Sequence, residues 1–164
     1  MKKFTVFANY FIDIEETFLR LKDSFFSFHK ANISDWRINI RGKYKHDVKK
    51  FLEKNITKDL EIYFLNSEAG WLNDSLEICN KIKSEITFFW IEDHICIDDV
   101  SKINSIAQEM YENKVDYLLY TFFHKGQYLD LLEATNYNKK KHISFFKYDI
   151  KNYESIKNWG KKKY

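Results

Sequence analysis

The sequence predicts a three-layer α/β domain on a mostly parallel central sheet. Short runs rich in β-branched and aromatic residues (FTVFA, WRINI, LEIYFL, ITFFWI, DYLLYTFF) alternate with longer stretches whose apolar residues recur every three to four positions. The later runs are almost wholly apolar, as strands covered on both faces are. At 164 residues, with 45% hydrophobic and 18% aromatic content, the chain suffices for one core and is too short for two ordinary domains. A single domain over residues 1–164 is expected.

Each element has its own reason. Phe4 to Ala8 reads as the first strand. Asp13 offers an N-cap with Glu16 three residues on, and Ile14, Phe18, Leu21, Phe25 and Phe28 follow at helical spacing, which predicts a helix to about Asn32. Trp36 to Ile40 is the second strand, and Arg41-Gly42-Lys43 the turn that leaves it. Val48, Phe51 and Leu52 mark a short helix ending near Asn55. Leu60 to Leu65 reads as the third strand, with Asn66 to Gly70 as its loop. A third helix is expected over Trp71 to Lys83, with Leu72, Leu76, Cys79 and Ile82 on its apolar face. Ile86 to Ile91 reads as a central fourth strand. Val100, Ile103, Ile106, Ala107 and Met110 predict a fourth helix that starts near Asp98 or Asp99, and Asp116 to Phe123 a fifth strand. Further on, Tyr128 to Glu133 and Tyr153 to Trp159 read as helical and Ile143 to Tyr148 as a strand.

Composition narrows the function. With 27 Lys plus Arg against 24 Asp plus Glu, the net +3 gives no field over the whole surface, and nucleic acid is not an expected partner. Cys79 and Cys96 match no zinc spacing and read as reduced, buried thiols in a cytoplasmic protein. The apolar start, MKKFTVFANYF, is too brief for a signal-peptide core or a membrane span. No GxSxG, Walker loop, GxGxxG or HExxH occurs.

In open α/β sheets ligands bind beyond the carboxyl ends of the strands. The exits to inspect are Asn9 and Tyr10, Asn39 and Arg41, Asn66 to Gly70, Glu92 to His94, and His124. If the fourth strand continues, Glu92 and His94 face one side and Asp93 the other. Carboxylates suit Mg²⁺ or Mn²⁺, and imidazole suits Mn²⁺ better. Acidic strand ends also face water with no ligand, and the spacing leaves both readings open. Trp71 suits either stacking on a ligand or anchoring its helix. Arg41 and Lys43 beside Gly42 suit either phosphate or solvent. The clusters Lys139 to Lys141 and Lys161 to Lys163 read as a solubilising tail or as a peripheral contact with an anionic membrane.

The run Trp71-Leu72-Asn73-Asp74-Ser75-Leu76-Glu77-Ile78-Cys79-Asn80, then Lys83-Ser84-Glu85, then an apolar strand into Glu92-Asp93-His94, resembles the nucleotide-sugar half of GT-A fold glycosyltransferases of the family-2 type. In that family a helix ending in a small-residue-Glu step leads into a strand that closes on a DxD or EDD motif, whose acids hold the divalent ion bridging the donor's diphosphate. The resemblance covers about residues 4–123. It implies a nucleotide-sugar donor, Mn²⁺ or Mg²⁺, and a surface-glycan acceptor of capsule or lipopolysaccharide type, free or lipid-linked. Glu92 and Asp93 match the motif's acids, with His94 where a final Asp is frequent, so Asp93 and His94 become the metal candidates. Asn9 and Tyr10 fall where the family contacts the base, Asn39 and Arg41 at the next exit, and Trp71, Asn73 and Asp74 near the donor-facing end of the helix that precedes the motif; with Glu92 these are the nucleotide-sugar-binding candidates. The second exit, Asn39-Ile40-Arg41-Gly42-Lys43, lacks the family's usual acid for uracil or ribose. Inverting members place an acidic base in an acceptor region, here reduced to about residues 124–164, where Asp130 and Glu133 are the nearest acids after the fifth strand. The alternative reading is a non-catalytic binding or assembly module derived from such an enzyme.

Overall fold

The computed structural model describes residues 1–118 and 137–146. They form an α/β fold in which a four-stranded parallel sheet is flanked by helices on both faces. The elements are β1 (Phe4–Phe11), α1 (Glu15–Phe28), β2 (Ile33–Arg41), α2 (Lys45–Asn55), β3 (Asp59–Tyr63), α3 (Trp71–Cys79), β4 (Thr87–Phe89) and α4 (Val100–Asn113), followed by a hairpin of β5 (Tyr137–Lys139) and β6 (Ser144–Phe146). The strand order is β3-β2-β1-β4, so the sheet grows one way from β1 and then reverses at β4.

Strand alternation sorts the two faces. Phe4, Val6, Ala8 and Tyr10 of β1 lie in register with Ile33, Trp36, Ile38 and Ile40 of β2, and all are buried against Leu21, Phe25 and Phe28 of α1, Val48 and Leu52 of α2, and Ile103 and Ala107 of α4. Trp90 closes this layer, with ring centroids 5.1 Å from Tyr10, 5.2 Å from Phe28 and 5.8 Å from Trp36. The opposite face carries Thr5, Phe7 and Asn9 opposite Asp35, Arg37 and Asn39. Arg37 stands among Asp35, Asp59 and Glu61 at 3.3–3.4 Å, and α3 covers the end that carries the asparagines.

Several expectations are corrected. Asp13 does not cap α1: its carboxylate accepts the Lys43 N–H at 3.1 Å, and Ile14 holds the cap position with no side-chain bond. The helix stops at Phe28, short of Asn32, while β1 and β2 run longer than their apolar cores. Helix α3 ends at Cys79, and Leu72, Leu76 and Cys79 are exposed; the residues it buries are Asp74, Ser75 and Ile78. Hydrogen bonds from Asn9 of β1 and from Ser67 in the preceding loop turn that polar edge inward, against the apolar pattern. Strand β4 is three residues long with Thr87 and Phe89 exposed, and among the described residues it is an edge strand rather than a central one. Asp99 is the N-cap of α4, accepting the Ser101 N–H at 2.7 Å, and bonds from the Ser101 hydroxyl and amide hold its carboxyl below the usual range. Asp116 to Leu118 are not strand. The rest of the expected fifth strand, the helices at Tyr128–Glu133 and Tyr153–Trp159, His124, Asp130, Glu133 and Lys161 to Lys163 lie outside the described residues. No helix among those described is long and apolar enough to cross a membrane.

Two loops at the carboxyl edge are knitted through one glycine. Gly42 has φ +92°, and a Cβ there would stand 2.4 Å from the Ile12 carbonyl oxygen, which itself accepts the Tyr44 N–H at 3.0 Å. Gly70 also has positive φ, +86°, but faces open space. Gly42→Ala is therefore expected to cost about 3 kcal/mol or more, from left-handed strain plus a backbone clash, and Gly70→Ala about 1 kcal/mol from strain alone. Urea midpoints of the two variants check the difference.

Candidate functional site

The reversal of strand order puts the switch point of the sheet between the carboxyl ends of β1 and β4, the position at which open α/β sheets bind ligands. The β4 ladder ends as the Trp90 N–H bonds the Phe7 carbonyl at 2.8 Å, and the chain then turns, with the His94 N–H on the Ile91 carbonyl at 3.1 Å. Glu92 and Asp93 sit in that turn, so the strand does not continue and does not set the trio on alternating faces. What it brings together is Asp93 Oδ1 and His94 Nδ1, 3.0 Å apart and both about half exposed.

The turn is held from α1. The Ser24 hydroxyl donates to the His94 carbonyl and accepts the Trp90 Nε1–H at 2.9 Å, while Ser27 Oγ accepts the Cys96 N–H at 2.9 Å. Sequence reasoning missed these serines. Their signal was present: Ser24 is a polar residue within the stripe of Leu21, Phe25 and Phe28, where it is fully buried.

A second group of candidates forms an amide network across the other face. Asn39 is fully buried; its Oδ1 accepts the Leu65 N–H at 2.8 Å, and its Nδ2 donates to the Leu65 carbonyl and to Asn9 Oδ1, each at 3.0 Å. Asn9 Nδ2 in turn donates to Ser75 Oγ at 2.7 Å and to the Trp71 carbonyl at 3.0 Å. The Asp74 carboxylate accepts the Ser67 hydroxyl at 2.6 Å, and Asn73 Nδ2 donates to the Ala69 carbonyl at 2.8 Å. These side chains bind the β3–α3 loop to the sheet.

The remaining candidates stand apart. Trp71 is exposed at the start of α3. The Arg41 guanidinium lies 5.9 Å from the Phe11 ring, with a buried Nε that has no hydrogen-bond partner among the described residues. Tyr10 is buried and its hydroxyl is likewise unpartnered; burial, and then the Glu92 carboxylate, push the phenol well above its ordinary value.

For a divalent ion, neighbouring ligand atoms on an octahedral Mg²⁺ or Mn²⁺ at about 2.1 Å lie about 3 Å apart, and the Asp93 and His94 atoms have that spacing. Among the described residues no group of three or more His, Cys, Asp and Glu side chains converges, so such an ion would keep open positions for water or ligand oxygens.

Fold and site together define an α/β protein with an acidic, histidine-bearing turn at the switch point of a parallel sheet. In comparisons with known proteins, no family model, curated protein or solved structure matches the chain.

Asn39→Ala would orphan both polar groups of Leu65 and the Asn9 oxygen in a buried setting; a loss of about 3 kcal/mol in urea unfolding is expected. Tyr10→Phe removes a buried hydroxyl that lacks a partner among the described residues, and should gain about 1 kcal/mol at neutral pH. Because the phenol's pKa is raised on folding, its contribution is fully present below the unfolded value near 10 and is lost as pH rises beyond it. Unfolding free energies between pH 9 and 11 should therefore fall less steeply in Tyr10→Phe than in the parent. Tyr63, also pushed up by burial and by Glu61, keeps part of the slope.

Proposed function

We propose that this chain is a glycosyltransferase of the GT-A kind that binds a nucleotide-diphosphate sugar at the carboxyl edge of its sheet. It would pass the sugar to a surface glycan or lipid-linked acceptor on the cytoplasmic side. One observation carries the reading: the Glu92-Asp93-His94 turn follows directly on the strand that closes the switch point, with a carboxylate and an imidazole 3.0 Å apart and open to solvent. Asp93 and His94 are the residues to hold Mn²⁺ or Mg²⁺, and that ion supplies neutralisation of a departing diphosphate. The chain's own part is positioning and electrostatics. Ser24 and Ser27 fix the turn, the exposed Trp71 indole offers a stacking surface, and the Arg41 guanidinium offers donors to phosphate. The general base is assigned to Asp130 or Glu133.

A second reading, a non-catalytic binding or assembly module derived from such an enzyme, is favoured by the internal use of Asn9, Asn39 and Asp74, whose bonds within the fold take the capacity a ligand would need.

Calorimetry with UDP- and GDP-sugars, with and without Mn²⁺, tests both. Metal-dependent binding that falls at least tenfold in Asp93→Ala is expected. Binding indifferent to Mn²⁺ or to Asp93→Ala would overturn the metal-site assignment, and donor binding without sugar release or transfer selects the module.

A further inference from the structure

Positions 41–50, RGKYKHDVKK, hold five Lys or Arg side chains and one Asp, a surplus of four where the whole chain carries only +3. The fold gathers this stretch at one place: it leaves β2, turns at Gly42 and runs up the first turns of α2. The exit of β3 brings Phe64 against it. That ring is 40% exposed and takes no part in the buried core. Its centroid lies 5.5 Å from the His46 ring, 5.7 Å from Lys45 Nζ and 5.9 Å from Lys49 Nζ. Lys43 Nζ lies 5.8 Å from the neighbouring Tyr44 ring. Among the described residues Lys43 and Lys45 pair with no carboxylate, and Lys49 reaches Glu53 only at 3.6 Å.

An exposed aromatic face rimmed by cations fits a ligand that is both flat and anionic. Stacking supplies the sequence-tolerant part of such binding and phosphate neutralisation the salt-sensitive part. We propose that the exits of β2 and β3 and the start of α2 form a binding surface for phosphate-linked aromatic bases, with a base on Phe64 and phosphates against Lys43, Lys45 and Lys49. The bases come either from a single-stranded nucleic acid or from a free nucleotide. A flat anionic membrane fits less well. The adjoining loop, knitted to Gly42 and Tyr44, exposes Asp13, Glu15 and Glu16, which a bilayer surface would also meet. The surface is also separate from the Asp93–His94 turn: β3 and β4 are opposite edges of the described sheet, about 14 Å apart at ordinary strand spacing.

Fluorescence anisotropy with a labelled oligothymidylate at about 50 mM salt, calorimetry with ATP and UDP, and sedimentation with phosphatidylserine vesicles test the proposal on the full chain. Phe64 is exposed, so Phe64→Ala should fold normally. Binding of the oligonucleotide, or of the nucleotides without added divalent metal, is expected to weaken about tenfold in Phe64→Ala and to be retained in Phe64→Trp. Lys45→Gln with Lys49→Gln should weaken it by a similar factor and make the dependence of log K on log salt for the oligonucleotide shallower by about 1.4. Tighter binding of the oligonucleotide than of the nucleotides identifies a strand as the source, and the reverse a free nucleotide. Equal affinity of the parent and Phe64→Ala, binding to neither base-bearing probe, or binding to vesicles alone would overturn it.

Discussion

The carboxyl edge of this fold depends on satisfying one buried amide. Asn39 stands in an interior strand with no exposed surface, and an unpaired amide there would cost as much as several ordinary contacts return. Its oxygen takes the N–H of Leu65 and its nitrogen bonds the same residue's carbonyl, so the side chain prolongs the β2–β3 ladder beyond Tyr63, where backbone pairing stops. Its second donor bond passes to Asn9, and from Asn9 the network runs to Ser75 and the Trp71 carbonyl. The position of α3 is thus set by polar bonds. This explains why its buried residues include Asp74 and Ser75 while Leu72 and Leu76 face outward.

The opposite layer works by packing. Trp90 fills the space between α1 and the sheet, touching Tyr10, Phe25, Phe28 and Trp36, and its one polar atom reaches Ser24. The same serine donates to the backbone of His94. Helix α1 therefore supplies both the apolar wall that ends β4 and the hydrogen bonds that shape the turn after it. Placement of Asp93 and His94 follows from where Trp90 is buried, four residues or fewer away along the chain.

Period and burial were legible in the residues wherever apolar contacts decide the outcome. The β1, β2 and β3 runs, the stripe of α1 and the whole of α4 stand close to where the pattern puts them, because Val, Ile, Phe and Trp at those spacings have one favourable face. The pattern failed where polar bonds decide. Asp13 carries the signature of a cap, yet a distant backbone N–H, that of Lys43, takes its carboxylate; nothing within the helix's own sequence announces that competitor. Leu72, Leu76 and Cys79 share a stripe, yet the asparagines of the sheet pull the other side of α3 inward. For the site, the turn at Glu92 to His94 was legible as a strand end. Its geometry was not, since the assumption of a continuing strand gives a side-chain alternation that the turn at Ile91 abolishes.

These uses of polar groups decide which side chains can meet a ligand. Asn9, Asn39 and Asp74 spend their hydrogen-bonding atoms within the fold, so their presence at strand exits says more about closing the edge than about recognition. The groups left with capacity are the Asp93–His94 pair, Arg41, and the lysines around Phe64, which lie toward the two sides of the described sheet. Between them stand Tyr10 and Glu92, a buried phenol and a half-buried carboxylate at the switch point, the former with its hydroxyl unanswered among the described residues. A buried hydroxyl left unpaired is disfavoured unless something else is gained. Tyr10 gains the edge contact with Trp90, and through it the wall that seats the turn, so the packing role of the ring outweighs the cost of its hydroxyl.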